Sequence, residues 1–257
     1  METPGEFSGL SGAQSLPAFR LEDYCLRSPS IPHSVSAASP RILDWPAILS
    51  GLSQLKTDNP WVLENNVLVG GAACLFYRDL LEQINDPDFP SPTYSAEEEK
   101  VWLSRDADFA TTEPGRMPDS TGQVPLGRLQ MGFVLGADEF KENARTVRLE
   151  WSSTAFTMLI ADPLDLWREK EAATHRRGRP QDSLHLDVLG LILQWETAHY
   201  AEKVASGEHP FEQWKARTDE VRRRWNSILN HPKLVTRLLA LNVPNLTNYV
   251  SGPRSNP

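Results

Sequence analysis

Two carboxylates one residue apart, Asp106 and Asp108 in the run Arg105-Asp106-Ala107-Asp108-Phe109, are the residues of this chain best spaced for chemistry. In an extended strand, side chains at i and i+2 leave the same face, so the pair presents two parallel carboxylates. Such a pair repels itself unless a cation lies between, and a hard divalent ion with oxygen ligands meets that need. Upstream, Val67-Leu68-Val69-Gly70-Gly71-Ala72-Ala73 reads as a buried strand that turns through a glycine pair into a helix. Glycines at that turn let a phosphate approach the free N–H groups of the helix start. Together the two segments point to a nucleoside triphosphate handled with magnesium.

A third element follows Asp162-Pro163, which starts a helix with a capping carboxylate and proline at the first helical position. On that helix Leu166, Lys170, Ala173 and Arg177 recur at spacings of four, three and four, so they share one face. Lys170 and Arg177 thus point the same way two turns apart, an arrangement suited to a triphosphate tail. Other familiar site patterns are missing. The chain has no Gly-x-x-x-x-Gly-Lys-Ser/Thr, no Gly-x-Gly-x-x-Gly and no His-Glu-x-x-His. Cys25 and Cys74 are too few for a disulfide framework or a cysteine zinc site, and Cys74 reads as packing.

The elements that must position these groups can be read in order. Residues 1–40, rich in Ser, Pro and Gly, read as a loose arm. A helix is expected from Asp44 to Leu55, a strand at Val67–Val69, a helix from Ala72 to Gln83 and a strand from Val101 to Phe109. Between the last two, Ile84 to Lys100, with three prolines and the run Glu97-Glu98-Glu99, reads as a solvated surface insertion. Thr112 to Gln123 reads as loop, with a turn at Pro114-Gly115. Strands are expected at Arg128–Leu135, Thr146–Trp151 and Ala155–Ile160. Helices follow from Pro163 to Gly178, from Pro180 to Tyr200 and from Phe211 to Leu229, and the chain end from Ser251 reads as frayed. The expected architecture is α+β: a small mixed sheet with flanking helices over residues 41–161, then a helical C-terminal lobe over 162–250.

In order and phrasing, these motifs resemble the minimal nucleotidyltransferase superfamily, in particular its AbiE-type toxin group. The likeness is carried by Val69-Gly70-Gly71-Ala72, by Arg105-Asp106-Ala107-Asp108-Phe109, and by Asp162-Pro163-Leu164-Asp165-Leu166 through Lys170 to Arg177-Gly178-Arg179-Pro180-Gln181-Asp182. It spans residues 43 to 195. The resemblance implies that Gly70 and Gly71 hold the β- and γ-phosphates and that Asp106 and Asp108 coordinate Mg2+. Lys170 would meet the nucleotide phosphates, with Arg177 and Asp182 in support. Glu150, on a later strand, would be the third carboxylate and base, with Asp138 as the weaker candidate. The implied reaction transfers a nucleoside monophosphate from a triphosphate to a hydroxyl of RNA, protein or a small molecule such as an aminoglycoside. A toxin-like member would also have an antitoxin partner.

The chain departs from that pattern in four places, one of them Glu150 in place of an aspartate, longer by one methylene. It puts 35 positions between Gly71 and Asp106, where the family has fewer. Gln181 stands where the family often has lysine, and His185 where an aspartate commonly follows. The alternative is therefore a catalytically inactive nucleotidyltransferase-fold scaffold that binds partners through the insertion or the basic C-terminal helix.

Bulk composition agrees with a protein that buries a full core: 257 residues, 40% hydrophobic and 23% charged. No apolar run or leader-like start suggests a membrane span or secretory signal, so the cytoplasm is the expected compartment. The net charge of −8 argues against sequence-blind nucleic-acid binding. Positive charge is clustered at Arg176-Arg177-Gly178-Arg179 and Arg222-Arg223-Arg224. The second run reads as a solvated helix side, or else as a grip on an acidic acceptor such as tRNA.

Overall fold

The computed structural model describes residues 45–102, 106–111, 123–126, 129–135, 138–151 and 154–251. The expected N-terminal arm, Arg105, the Pro114-Gly115 turn and the chain end beyond Ser251 lie outside the described residues.

Helix α1 (Trp45–Asp58) buries Ile48, Leu52 and Leu55 along one stripe, as their spacing requires. A short α2 (Pro60–Asn65), opened by proline at its first position, leads into β1 (Val67–Val69), three residues buried throughout. Helix α3 (Gly70–Ile84) follows without a connecting loop and ends at Asn85 in the left-handed conformation. After α4 (Ala96–Val101) come β2 (Asp106–Thr111), β3 (Gln123–Leu126), β4 (Leu129–Leu135), α5 (Asp138–Glu142), β5 (Arg145–Trp151) and β6 (Thr154–Ile160). The remainder is helical: α6 (Pro163–Arg177), α7 (Pro180–Ser206), α8 (Phe211–Arg224), α9 (Pro232–Ala240) and α10 (Pro244–Ser251).

The molecule is mixed α+β. Among the described residues six strands lie in the order β3-β4-β2-β1-β6-β5. β1 runs parallel to β6 and antiparallel to β2, β4 runs parallel to β2, and β3 and β5 pair antiparallel at the two edges. One apolar core joins α1, α3, the sheet and the C-terminal helices. Helix α7 is its central rod. Val188, Ile192 and Trp195 are buried and Leu184 and Leu191 partly so, but Leu189, Leu193 and Ala198 on other sides are buried as well, so the helix is enclosed nearly all round. Among the described residues no helix is long and apolar enough to cross a membrane.

Three sequence expectations need correction. Val101 closes α4 instead of opening a strand, and β2 begins at Asp106. The segment read as loop up to Gln123 gives way there to β3, whose Pro125 hid the strand signal; an edge strand tolerates proline because one side of its ladder is unpaired. The helix begun at Phe211 stops at Arg224, short of Leu229, where Trp225 turns out of helical geometry. The insertion, read as solvated, also carries structure. Ser95 and Glu98 form a reciprocal capping box on α4, while Phe89 and Trp102 are fully enclosed.

Candidate functional site

β1 ends at Val69 and the chain turns at once into α3 through Gly70, whose φ is +69°. Asp108 lies directly across the antiparallel pair from Val69. A Cβ at Gly70 would stand 2.9 Å from Asp108 Oδ2, so glycine is required both by the backbone angle and by the carboxylate beside it. The open N–H groups of the first α3 turn, Gly71 included, therefore start next to Asp108. Asp106 is one side-chain period earlier on the same strand face, while Ala107 and Phe109 point into the core. Burial, and then the Asp106 charge, push the Asp108 carboxyl up to about 6; Lys170 pulls the other way and Glu169 adds to the rise.

Lys170 reaches this region from α6, two turns beyond the Asp162 cap. Asp162 Oδ1 accepts from Leu164 N–H at 2.8 Å, Pro163 opens the helix, and Gly178 ends it in the left-handed conformation. Lys170 is only 7% exposed; its Nζ lies 3.5 Å from Glu169 Oε1 and 3.8 Å from Asp182 Oδ1. Burial opposes the ammonium charge, but neighbouring Cys74, Glu169 and Asp182 outweigh it and hold the pKa above its ordinary value. Asp182, in the first turn of α7, is 4% exposed, and its Oδ2 has no hydrogen-bond partner among the described residues. Next to it on α7, His185 is buried against the Trp102 ring and held down to about 3 by burial and by Lys170. Cys74 is enclosed one turn into α3, its thiol pushed up to about 12 mainly by burial, which suits packing and not nucleophilic attack.

The structure therefore gathers Gly70, Gly71, Asp106, Asp108, Lys170 and Asp182 at one end of the sheet. Arg177 lies in the last turn of α6, on the helix that carries Lys170; its side chain is outside the described residues. Glu150 does not join them. It pairs in register with Ala155, whereas the carboxylate end of the sheet is marked on β5 by Arg145, opposite Ile160. Five residues of strand put Glu150 about 16 Å down the sheet, on the outermost strand. There it pairs with Arg148 at 3.5 Å, so the third-carboxylate assignment fails on register. Asp138 opens α5, on the connection from β4 to β5.

Sequence reasoning missed two features around this end of the sheet. Glu169 was passed over although it adjoins Lys170. The second is a cluster of the buried Arg145, Asp162 and Glu196 with the partly exposed Arg217 beside them. In it Arg145 Nε and Nη2 donate to Asp162 Oδ2 at 2.9 and 2.6 Å, Arg145 also pairs with Glu196, and Arg217 Nη2 donates to Asp162 Oδ1 at 2.7 Å. Only Asp162 had a local signal, as a helix cap.

Among the described residues no group of three or more His, Cys, Asp or Glu is close enough to hold a metal ion. Asp106 and Asp108 could offer such an ion two carboxylates. That suits magnesium, which commonly takes one or two protein carboxylates and completes its shell with phosphate oxygens and water. The Asp108 carboxyl is raised first by burial and then by the Asp106 charge, and a divalent ion would offset the second of these.

No protein-family model matches this chain, and neither a curated protein nor a solved structure matches it.

Proposed function

We propose that this chain is a magnesium-dependent nucleotidyltransferase that moves a nucleoside monophosphate from a triphosphate to an acceptor hydroxyl, in the manner of the AbiE-type toxins. One observation carries the reading. A glycine-opened helix start, a strand-borne carboxylate pair and a buried lysine with its own carboxylate, from three separate parts of the chain, meet at one end of the sheet. The N–H groups at Gly70 and Gly71 would hold the β- and γ-phosphates. Asp106 and Asp108 would hold the metal, which when bound supplies charge neutralisation at the phosphates. Lys170 would balance the charge that grows on the departing pyrophosphate. With Glu150 at the far end of the sheet, no base is assigned among the described residues. The acceptor oxygen bonds to the α-phosphorus, the bond from that phosphorus to the β-bridging oxygen breaks, and the hydroxyl proton leaves to water. The cytoplasm, an antitoxin partner and an RNA, protein or small-molecule acceptor belong to the same proposal.

Calorimetric titration of ATP, GTP, CTP and UTP, with and without magnesium, tests it on wild type and on Asp106→Asn/Asp108→Asn. The expected result is magnesium-dependent binding of at least one triphosphate that the double variant loses while its fold persists. Absence of triphosphate binding in the wild type would favour the inactive scaffold instead.

A further inference from the structure

Glu169 has no part in the scheme above, yet it is the more exposed of the two carboxylates that pair with Lys170. The Lys170 ammonium lies between two carboxylates of unlike surroundings: the Asp182 side chain is 6% exposed and that of Glu169 38% exposed. Consecutive residues on a helix do not face one another, so the Glu169–Lys170 pair at 3.5 Å exists only because both long side chains bend toward each other. Lys170 is enclosed and has little freedom to leave. Glu169, whose side chain is 38% exposed, can turn outward into water while Lys170 keeps Asp182 as its partner. The Glu169 charge is also felt at Asp108, in the same direction as that of Asp106. Any polyanion approaching Lys170 therefore meets Glu169 twice, as the competitor for the ammonium and as a like charge beside the carboxylate pair.

We propose that Glu169 is an exchangeable counter-ion of Lys170, displaced by an incoming polyphosphate and selecting against polyphosphate that arrives without a divalent cation. The inference rests on reading Gly70–Gly71 and Lys170 as a polyphosphate site. In the free protein Glu169 neutralises the ammonium. On binding, phosphate oxygens take over Lys170, and Glu169 moves outward. A metal-complexed polyphosphate brings cationic charge that offsets Glu169 and Asp108, whereas the bare anion does not. Glu169 is thus a positioning and specificity residue that bonds to no reacting atom.

The test titrates inorganic tripolyphosphate and ATP, each with and without magnesium, into wild type, Glu169→Gln and Glu169→Asp. Expected is about two- to fivefold tighter binding of metal-free tripolyphosphate by Glu169→Gln, a smaller gain from magnesium in that variant, and behaviour of Glu169→Asp between wild type and Glu169→Gln, since it keeps the charge but reaches the ammonium less well. A merely structural residue would yield weaker binding in the Gln variant and no change in the magnesium gain. If wild type binds magnesium–ATP but Glu169→Gln binds tripolyphosphate no tighter, the counter-ion role is overturned and nucleotidyl transfer stands. A tripolyphosphate gain without any ATP binding supports the counter-ion role while removing the nucleotide reading. Binding of neither probe to any of the three proteins overturns both.

Discussion

Asp108 is the residue whose surroundings most directly set the chemistry available here. Its ordinary pKa of 3.8 rises to about 6 because burial and Asp106 both disfavour the charge. The sign of the consequence follows. Between about pH 4 and 6 the folded protein holds a proton on Asp108 that the unfolded chain releases, so this residue's contribution to stability grows as the pH falls through that range. Metal binding at Asp108, as proposed, would run the other way, since a protonated carboxyl cannot serve as ligand. Magnesium-dependent nucleotide affinity should therefore be full above about pH 7 and decline as the pH drops through 6. Titrations at pH 7.5, 6.5 and 5.5 check this, and an affinity unchanged at pH 5.5 would show that Asp108 does not bind the ion.

At the scale of elements, the insertion between α3 and β2 is a strap anchored at both ends. Arg237 of α9 donates to Asp86 at 2.6 Å and lies 5.7 Å from the Phe89 ring. At the other end the Arg78 guanidinium sits 5.1 Å from the rings of both Tyr94 and Trp102 and donates to Glu99 at 2.9 and 2.5 Å. Trp102 in turn packs on His185, next to Asp182. Trp102→Ala should cost about 3–5 kcal/mol in urea denaturation and open residues 86–95 to protease, because it empties a fully enclosed indole site. Lys100→Ala, which removes only an exposed pair with Glu97, should stay within about 0.5 kcal/mol. The strap could not be read from sequence. Its anchors Phe89, Tyr94 and Trp102 follow no helical or strand period, and Arg237 is 151 positions from its partner Asp86. By contrast β1, α6 and the start of α7 were legible, because an apolar run, Asp162-Pro163, Gly178 and Pro180 mark them locally. Glu150 was misplaced for a related reason: alternation gave its strand, but strand order and direction decide which end of a sheet a residue occupies.

Across the whole molecule, the sheet and the C-terminal helices are joined where β6 passes into α6. Arg145 at the start of β5, Asp162 at the α6 cap, Glu196 in the middle of α7 and Arg217 on α8 form a charge-balanced cluster, and Tyr77 of α3 donates to the Ala161 carbonyl beside it at 2.8 Å. The direction in which α6 leaves the sheet, and so the place of Lys170 two turns on, depends on this junction. Burial alone would raise the Asp162 pKa, but Arg145 and Arg217 outweigh it and bring the value to about 2, below the ordinary 3.8. The stabilisation from Asp162 is accordingly complete above about pH 4 and is lost as the pH falls toward 2. Asp162→Asn keeps the shape and leaves the buried Arg145 and the partly exposed Arg217 short of a negative charge, a change that typically costs about 3–5 kcal/mol. The cost arises from the unpaired cations, so a second change that removes one of them, Arg217→Met, should return part of it: the double variant should be more stable than Asp162→Asn alone. Urea denaturation of wild type, both single variants and the double variant at pH 7 measures the cycle. Simple additivity of the two losses would mean that the two residues do not act as one cluster, and that the course of α6 is set by apolar packing alone.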